Sequence, residues 1–229
     1  MPPCLAFSGG TLGFLTSYSL WNVEAHVDRA LAGLDAPVLL RHRLQCTTFT
    51  TDGQKANDIA YRHPILNEVL IERGPAVAAA DFEIFIDGVY FSNVVADGVM
   101  VATPTGSTAY SMSAGGSIAH PEMPAMLLTP VCPFSLSFRP LVLPWTSEVE
   151  IKVSEASRCA PVVSFDGRNR RQLAVGDSVV IQSSPYPLPN VIRETATEDW
   201  GRSIKEALNW NQRIVQRKHS GKAPTTAKF

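Results

Sequence analysis

Apolar and polar residues alternate through much of the middle of the chain. A period of two residues is typical of β-strands that bury one face, and a short continuous apolar run indicates a strand buried on both faces. Such patterns predict strands at residues 38–40, 65–71, 82–86, 89–95, 99–102, 149–153, 162–165 and 178–181. Asp87-Gly88 and Asp166-Gly167 follow two of these runs and predict tight hairpin turns. The centre of the chain is therefore predicted to form packed antiparallel sheets.

Helical spacing occurs near both ends of the chain. Residues 21–34 repeat apolar positions every three or four residues, which predicts an amphipathic helix with Asn22 as its cap. Residues 199–216 predict a second helix, capped by Asp199, with apolar residues at four-residue steps. Since that apolar stripe needs a partner, we expect the second helix to pack back onto the N-terminal residues.

Six prolines limit regular structure after residue 120. Proline cannot donate a ladder hydrogen bond, and it breaks a helix interior. We therefore expect no long helix or strand near Pro121, Pro124, Pro130, Pro133, Pro140 and Pro144. Just before them, residues 111–119 are rich in small side chains and predict a short helix.

The composition is that of a globular protein and argues against two classes of partner. With 229 residues, 45% of them hydrophobic, the chain can bury a substantial core. Its 20 basic and 21 acidic residues leave a net charge of -1, which favours neither nucleic acid nor a membrane surface. The sequence shows no membrane span and no secretory signal, so we expect a cytoplasmic protein. The four cysteines lie far apart and are not spaced for a zinc site, which predicts buried free thiols.

Residues 97–116 combine glycines and hydroxyl side chains with a single charge, that of Asp97. Glycine lets the main chain approach a ligand closely, and hydroxyl groups can hydrogen-bond a base or a ribose without desolvating a charge. The apolar run 99–102 lies in this segment, so most of its polar residues begin where a buried strand leaves the core. From these residues alone, two alternatives stay open: a site for a neutral, hydroxyl-rich ligand, and a turn followed by a packing face.

Five separated segments resemble those of the NAD kinases, in the same order. They are residues 66–69 (Leu-Asn-Glu-Val), 97–116, 128–133 (Leu-Thr-Pro-Val-Cys-Pro), 135–140 (Ser-Leu-Ser-Phe-Arg-Pro) and 164–168 (Ser-Phe-Asp-Gly-Arg). The Thr-Pro-Thr-Gly-Ser-Thr-Ala-Tyr sequence that begins at Thr103 is far more specific than a lone glycine pattern. The similarity extends from about residue 3 to residue 217.

The resemblance implies a phosphotransferase. NAD kinases transfer a phosphoryl group from ATP, with a divalent cation such as Mg2+, to the 2′-hydroxyl of the adenosine ribose of NAD, which gives NADP. Such a site must hold the reactants in line and neutralise charge on the transferred group. The implied partners are NAD, ATP and further copies of the chain, in a dimer or tetramer.

The same resemblance assigns substrate binding to two groups of residues. Asn67 and Glu68 would hydrogen-bond adenine or ribose groups, since an amide both donates and accepts and a carboxylate accepts from vicinal hydroxyls. Thr105, Thr108 and Ala109 would line the adenine pocket.

Three further residues would bind the rest of the dinucleotide. Tyr110 would stack on the ligand or border its pyrophosphate, with Ser113 nearby. Asp97 would face the other ribose or the nicotinamide, across a subunit interface. Two other residues have open alternatives: Asp166 belongs either to the site or to a simple hairpin, and Arg139 contacts either phosphate or backbone carbonyls.

One family feature has no counterpart in the sequence. NAD kinases carry an upstream Gly-Gly-Asp-Gly-Thr loop whose amides cradle the ATP phosphates and whose aspartate is thought to act as the base. Ser8-Gly9-Gly10-Thr11 is similar to it but has no carboxylate to accept a proton. The sequence therefore assigns no catalytic residue and no metal ligand.

Two functions consequently stay open from the sequence: an NAD kinase, and a catalytically silent NAD- or NADP-binding subunit that regulates a full-length kinase. A lipid kinase relative is disfavoured, because a lipid site needs an extended apolar groove.

Pattern and resemblance together imply an α+β fold. We expect a mainly antiparallel β-sandwich, an N-terminal remnant of a Rossmann-like α/β domain, and a C-terminal helix that packs back on that remnant. The expected boundaries are 1–35 for the ATP-binding remnant, 36–190 for the NAD-binding β domain, 191–217 for the helix and 218–229 for a disordered tail.

Overall fold

The computed structural model describes residues 2–9, 14–33, 36–56 and 64–211. Its strands are β1 (Cys4–Leu5), β2 (Phe7–Ser8), β3 (Tyr18–Ser19), β4 (Val38–Arg41), β5 (Leu44–Phe49), β6 (Glu68–Glu72), β7 (Ala80–Ile86), β8 (Val89–Ala96), β9 (Gly98–Ala102), β10 (Ala125–Val131), β11 (Leu141–Pro144), β12 (Val149–Val153), β13 (Val162–Phe165), β14 (Arg168–Gln172), β15 (Ser178–Ser183) and β16 (Leu188–Val191). The helices are α1 (Val23–Leu31), α2 (Tyr110–Ser113) and α3 (Ala196–Leu208). Predictions that concern Gly10, Thr11, Leu34 or residues 212–229 lie outside the described residues.

Two antiparallel sheets form the predicted sandwich. One has six strands in the order β11-β10-β9-β6-β13-β14, and the other has five in the order β5-β15-β12-β7-β8. Alternate side chains of both sheets, such as Val69, Val101, Phe82 and Ile151, belong to a single buried apolar cluster. The core therefore lies between the sheets, as the two-residue period requires.

A smaller sheet joins the two ends of the chain. β16 pairs in parallel with β1 and antiparallel with β4. β4 thus belongs to this N-terminal sheet, although the sequence analysis placed residues 36–190 together. This mixed sheet, with α1 and α3, forms the α/β part of the fold.

Both long helices form, with other ends than the sequence predicted. Asn22 precedes α1 in a left-handed conformation, and its side chain makes no capping hydrogen bond. α3 is capped by Thr195 and not by Asp199, because Thr195 and Glu198 form a reciprocal capping box. It ends at Leu208 and the left-handed Asn209 follows, so the predicted helix does not continue through residues 209–211; the rest of the prediction, residues 212–216, lies outside the described residues.

α3 packs back on the N-terminal residues, as predicted. Asp199, Trp200 and Ser203 of α3 line a small cavity together with Phe14 and Ser17. The apolar stripe thus finds its partner on the mixed sheet.

The prediction that no long strand lies near the six prolines is wrong at Pro130. This residue lies within β10, a seven-residue strand. β11 pairs with β10 only at Ala125–Leu128, so the side of β10 that faces β11 is unpaired at Pro130. The missing N–H is tolerated there because no ladder bond is needed.

The segment after β9 covers the outer face of the six-stranded sheet. It forms a 3-10 turn at Gly106–Thr108 and then the short α2, which begins and ends earlier than the predicted helix. Ser111 and Thr129 join it to the sheet through a buried hydroxyl pair at 3.0 Å. As a result, β9 is covered on both faces, and all five of its residues are buried.

The structure also bears on membrane spans and on the state of the cysteines. In the described part of the chain, no helix is long and apolar enough to cross a membrane. All four cysteines are free; Cys46 is buried and Cys159 is half-buried, but Cys4 and Cys132 are exposed, so the prediction of buried thiols is wrong for those two.

Candidate functional site

The hairpin carboxylate of Asp166 holds the start of β6. One of its oxygens accepts the Leu66 N–H at 2.9 Å, and the other accepts the Asn67 and Glu68 N–H groups at 2.7 and 3.2 Å. Asp166 itself has the positive φ of 48° that the turn requires. Of the two roles left open for Asp166, the structure shows the one in the hairpin. Its carboxylate also holds the main chain of Asn67 and Glu68, the residues predicted to bind substrate.

The hydroxyl-rich segment packs directly against the same residues. Thr103 donates its hydroxyl to the Leu66 carbonyl at 2.6 Å and its N–H to the Asn67 carbonyl at 2.9 Å. A Cβ placed on Gly106 would lie only 2.1 Å from the Asn67 carbonyl oxygen. Only glycine therefore allows this approach of the turn to β6.

Two cavities open on either side of Asn67. The first, of about 350 Å³, is lined by Phe14, Leu15, Thr16, Asn67, Thr105, Thr108 and Ala109. The second, of about 440 Å³, is lined by Pro64, Ile65, Leu66, Asn67, Phe165, Asp166, Arg168 and Asn169. Asn67 is common to both, and four of the eight predicted site residues meet in the first.

Two acceptor atoms at this position lack a partner among the described residues. They are Oδ1 of Asn67 and Oε2 of Glu68, and both are buried. Burial and the neighbouring charge of Asp166 raise the pKa of Glu68 to about 7. Buried polar atoms in native proteins are normally hydrogen-bonded, so the unpartnered oxygen of Asn67, a residue that lines both cavities, suits a ligand that donates.

Asp97 lies at the other end of the six-stranded sheet, directly before β9. β6 and β9 pair Glu68 with Ala102 and Glu72 with Gly98, which separates the two ends by about 13 Å of strand. Burial raises the pKa of Tyr110, and the nearby charges of Glu72, Cys132 and Asp97 raise it further. Tyr110 is thus near enough to Asp97 to respond to its charge, and it is not among the described residues that line the first cavity.

Other predicted residues have simpler surroundings. Asp97 forms an ion pair with Arg73 at 2.8 Å. Ser113 is exposed at the end of α2. Arg139 donates to the carbonyl of Leu136 at 2.6 Å, so of its two alternatives the structure shows the backbone contact.

Comparison with known proteins identifies the family. A family model described as the ATP-NAD kinase C-terminal domain matches residues 66–193, which contain all eight predicted site residues. The chain belongs to the NAD kinase family. NAD kinase 2, chloroplastic, of Arabidopsis thaliana is 42% identical over 95% of this chain and 22% of its own length. The NAD(+) kinase of Saccharomyces cerevisiae is 40% identical over 95% of this chain and 42% of its own length.

Solved NAD kinase family structures share the fold. A crystal structure of yeast NADH kinase complexed with NADH has a TM-score of 0.83 and 38% identity, over 94% of this chain and 62% of that one. An NAD kinase from Archaeoglobus fulgidus in complex with ATP has a TM-score of 0.73 at 23% identity, over 90% of this chain and 74% of that one. The chain spans 22% to 58% of the length of the curated relatives that it matches.

Four further residues contribute to the site without being predicted by the motifs. Phe14, Leu15 and Thr16 form one wall of the first cavity, but no spacing relates them to residue 105. Arg41 donates to the Thr105 hydroxyl from β4, at 3.4 Å. The only available signal for Arg41 was a charged residue in an apolar strand pattern.

Proposed function

We propose that this chain provides the acceptor half of an NAD kinase: it binds NAD by its adenosine and presents the ribose 2′-hydroxyl for phosphorylation by ATP, which gives NADP. The observation that carries the proposal is the unpartnered acceptor Oδ1 of Asn67, a residue that lines both cavities, next in sequence to the unpartnered Oε2 of Glu68. Membership of the family supports the choice of ligand.

The chemistry of adenosine matches these acceptors. A ribose offers hydroxyl donors and adenine offers an amino group, while Thr105 and Thr108 provide hydroxyls that can both donate and accept. Among the described residues that line the first cavity, none carries a charged side chain. A neutral base and sugar can therefore enter it without the desolvation of an ion.

The second end of the sheet fits the second half of a dinucleotide. Asp97 would accept from the other ribose, and Tyr110, which is 40% exposed, would border the pyrophosphate between the two ends. Ser113, on the same short helix, would lie along that path. The separation of about 13 Å along β9 suits an extended ligand that lies across the outer face of the sheet.

ATP and a divalent cation are part of the proposal as the phosphoryl donor system. Within the described ranges, no group of three His, Cys, Asp or Glu side chains could hold a metal ion. We assign no step through a metal ion to the described residues. Mg2+ is commonly held largely by substrate phosphates and water.

What this chain contributes to transfer is orientation of the acceptor. Asp166 fixes the main chain at Asn67, and Gly106 lets the Thr105–Thr108 turn close on it. A ribose held rigidly in this way keeps its 2′-oxygen in line with the phosphorus, which is the main requirement of phosphoryl transfer.

We extend the proposal to a homo-oligomer. Six exposed apolar residues form what we call the β8 patch: Val89, Tyr90, Phe91, Val95, Phe134 and Leu136. β8 is an edge strand, and a free edge readily pairs with another strand. Asp97 directly follows β8, so a second copy bound here would lie beside the second end of the ligand site. We also propose a cytoplasmic location, which free thiols favour.

Titration calorimetry with NAD and an assay for NADP after incubation with ATP, MgCl2 and NAD test the proposal. We expect Glu68→Ala and Tyr110→Ala each to weaken NAD binding by about 1–3 kcal/mol without loss of the folded signal. Wild-type affinity in both variants would contradict the assigned site. NAD binding without NADP formation would instead indicate the silent subunit.

A further inference from the structure

The back of the first cavity is connected to α3 by a buried arginine. Arg41, the last residue of β4, is 7% exposed. Its Nη1 donates to the hydroxyl of Thr105, whose side chain lines the cavity. Its Nε has no partner within the described residues.

The charge of Arg41 is opposed by one carboxylate. Burial lowers the pKa of Arg41 to about 10, and the negative charge of Asp199 raises it. Arg41 and Asp199 line the same small cavity, of about 20 Å³, which is about the volume that holds one water molecule. A guanidinium can serve a hydroxyl on one side and a carboxylate on the other, because its donors spread in a plane.

Asp199 is itself held firmly at the start of α3. It is 7% exposed, and its Oδ2 accepts the Arg193 N–H at 2.9 Å. Arg193 and Arg202 approach its Oδ1 at 3.7 and 3.8 Å. The position of this carboxylate is therefore set by the docked helix.

α3 also reaches the far end of the hydroxyl-rich segment. His120 contacts the Thr197 hydroxyl at 3.2 Å and packs edge-on against Trp200 with ring centres 5.0 Å apart. The preceding residue, Ala119, donates its N–H to Ser107 at 3.0 Å. Both ends of the segment from Thr105 to His120 thus depend on the same helix.

We propose that Arg41 is a positioning residue for the nucleotide pocket: it transmits the docking of α3, through Asp199, to Thr105 and so sets the affinity for the adenosine group. This inference rests on the proposed function for the identity of the ligand. It assigns no contact between Arg41 and the ligand. The helix that closes the fold thereby also tunes the site.

A set of linked variants tests this coupling through NAD affinity. Asp199→Asn removes the carboxylate charge, and we expect NAD binding about tenfold weaker by calorimetry. The same change in an Arg41→Met background should cause no further loss, since the transmitting group is gone. Arg41→Lys should recover part of the affinity lost in Arg41→Met.

Glu194→Gln is the matched control, because Glu194 pairs with Arg202 at 2.7 Å and does not approach Arg41. It should bind NAD like the wild type. All variants are compared at a temperature where melting curves show them folded. Equal losses from Asp199→Asn with and without the Arg41 guanidinium, or lower melting temperatures with unchanged affinity, would overturn the inference.

Hydrogen exchange separates this inference from the proposed function. In the free protein, amides of residues 103–109 should exchange faster in Asp199→Asn than in Glu194→Gln. If the wild type binds no NAD, the proposed function fails, and unchanged exchange in that segment would then also reject the coupling.

Discussion

Asp87 and Asp166 occupy equivalent hairpin turns, but their carboxylates accept hydrogen bonds from different strands and loops. Both have a positive φ, 52° and 48°, and each is followed by a glycine with positive φ. The Asp87 carboxylate accepts the Glu148 N–H at 2.8 Å, far from the cavities. The Asp166 carboxylate instead accepts three N–H groups at the start of β6. The dipeptide predicts the turn in both cases, but the neighbouring strand decides what the carboxylate holds.

Asp166→Asn and Asp87→Asn form a matched pair of variants. Asparagine keeps the turn but turns one accepting oxygen into a donor, which opposes the N–H groups that Asp166 receives. We expect each variant to lose about 1–3 kcal/mol of stability, and only Asp166→Asn to weaken NAD binding. Thermal melting and calorimetry measure the two effects. Equal NAD affinity in both variants would show that Asp166 does not position the site.

Glu68 gives the protein a distinct pH dependence. Its pKa in the folded protein is about 7, raised from the ordinary 4.5 by burial and by Asp166. Between these values the folded state keeps a proton that the unfolded state has lost, so the stability from this group is greatest at low pH. It is lost as the pH rises toward and through 7.

Urea denaturation of wild type and Glu68→Gln tests that dependence. Relative to the variant, the wild type should lose on the order of 2 kcal/mol of unfolding free energy between pH 5 and pH 8. The glutamine variant has no proton to lose at this position. Parallel pH profiles for the two proteins would mean that the Glu68 carboxyl is ionised throughout this range.

Two glycines in the segment after β9 allow its backbone to lie very close to neighbouring atoms. Gly106 and Gly116 lie where a Cβ would come within 2.1 Å of the Asn67 carbonyl and 2.3 Å of the Ser111 hydroxyl. Neither glycine is there for a positive φ, since neither has one. The sequence motif shows small residues, and the structure explains them by the sheet that lies beneath.

Gly106→Ala should therefore displace the turn from β6. The backbone at Asn67 cannot yield by more than 1 Å without breaking its bonds to Asp166 and Thr103, so we expect a loss of about 1–3 kcal/mol in stability and weaker NAD binding. Gly201→Ala is the control, because Gly201 lies within α3 with no atom near its Cβ position. That variant should gain up to about 1 kcal/mol by helix propensity. Unfolding curves in which both variants match the wild type would contradict the close-approach argument.

The two faces of the six-stranded sheet have different neighbours in the sandwich. Its inner face joins the apolar cluster, and its outer face carries the hydroxyl-rich segment and α2. The proposed ligand on the outer face would thus lie on a sheet whose other face belongs to the core. The β8 patch, the interface that we propose for a second copy, includes the edge strand of the other sheet.

Phe91→Glu should reduce association without affecting the fold. Phe91 is 49% exposed on the edge strand, so a charge there would be buried without a partner in a pair of copies. Light scattering after size-exclusion chromatography should show a smaller species than the wild type. Leu31→Glu, on the exposed face of α1, should leave the mass unchanged. Identical masses for all three proteins would exclude the β8 patch as the interface.

Local patterns are sufficient where neighbours in sequence share one environment. The period of two predicts β7, β8 and β12, and Asp-Gly predicts both hairpins, because strand burial and turn geometry depend on adjacent residues. The motif resemblance predicts one substrate site for Asn67, Thr105, Thr108 and Ala109, and the same four residues line one cavity. The polar edge strand β14 was not predicted, because the exposed residues of an edge strand need no apolar pattern.

Contacts between distant residues could not be read from the chain. Pro130 lies within a strand because β11 stops short of it, and Asp199 is buried beside a small cavity that Arg41 also lines. The same holds for Tyr110, whose pKa is raised by Glu72, Cys132 and Asp97, all remote from it in sequence. In each case the environment is supplied by residues remote in sequence, and packing alone brings them within range.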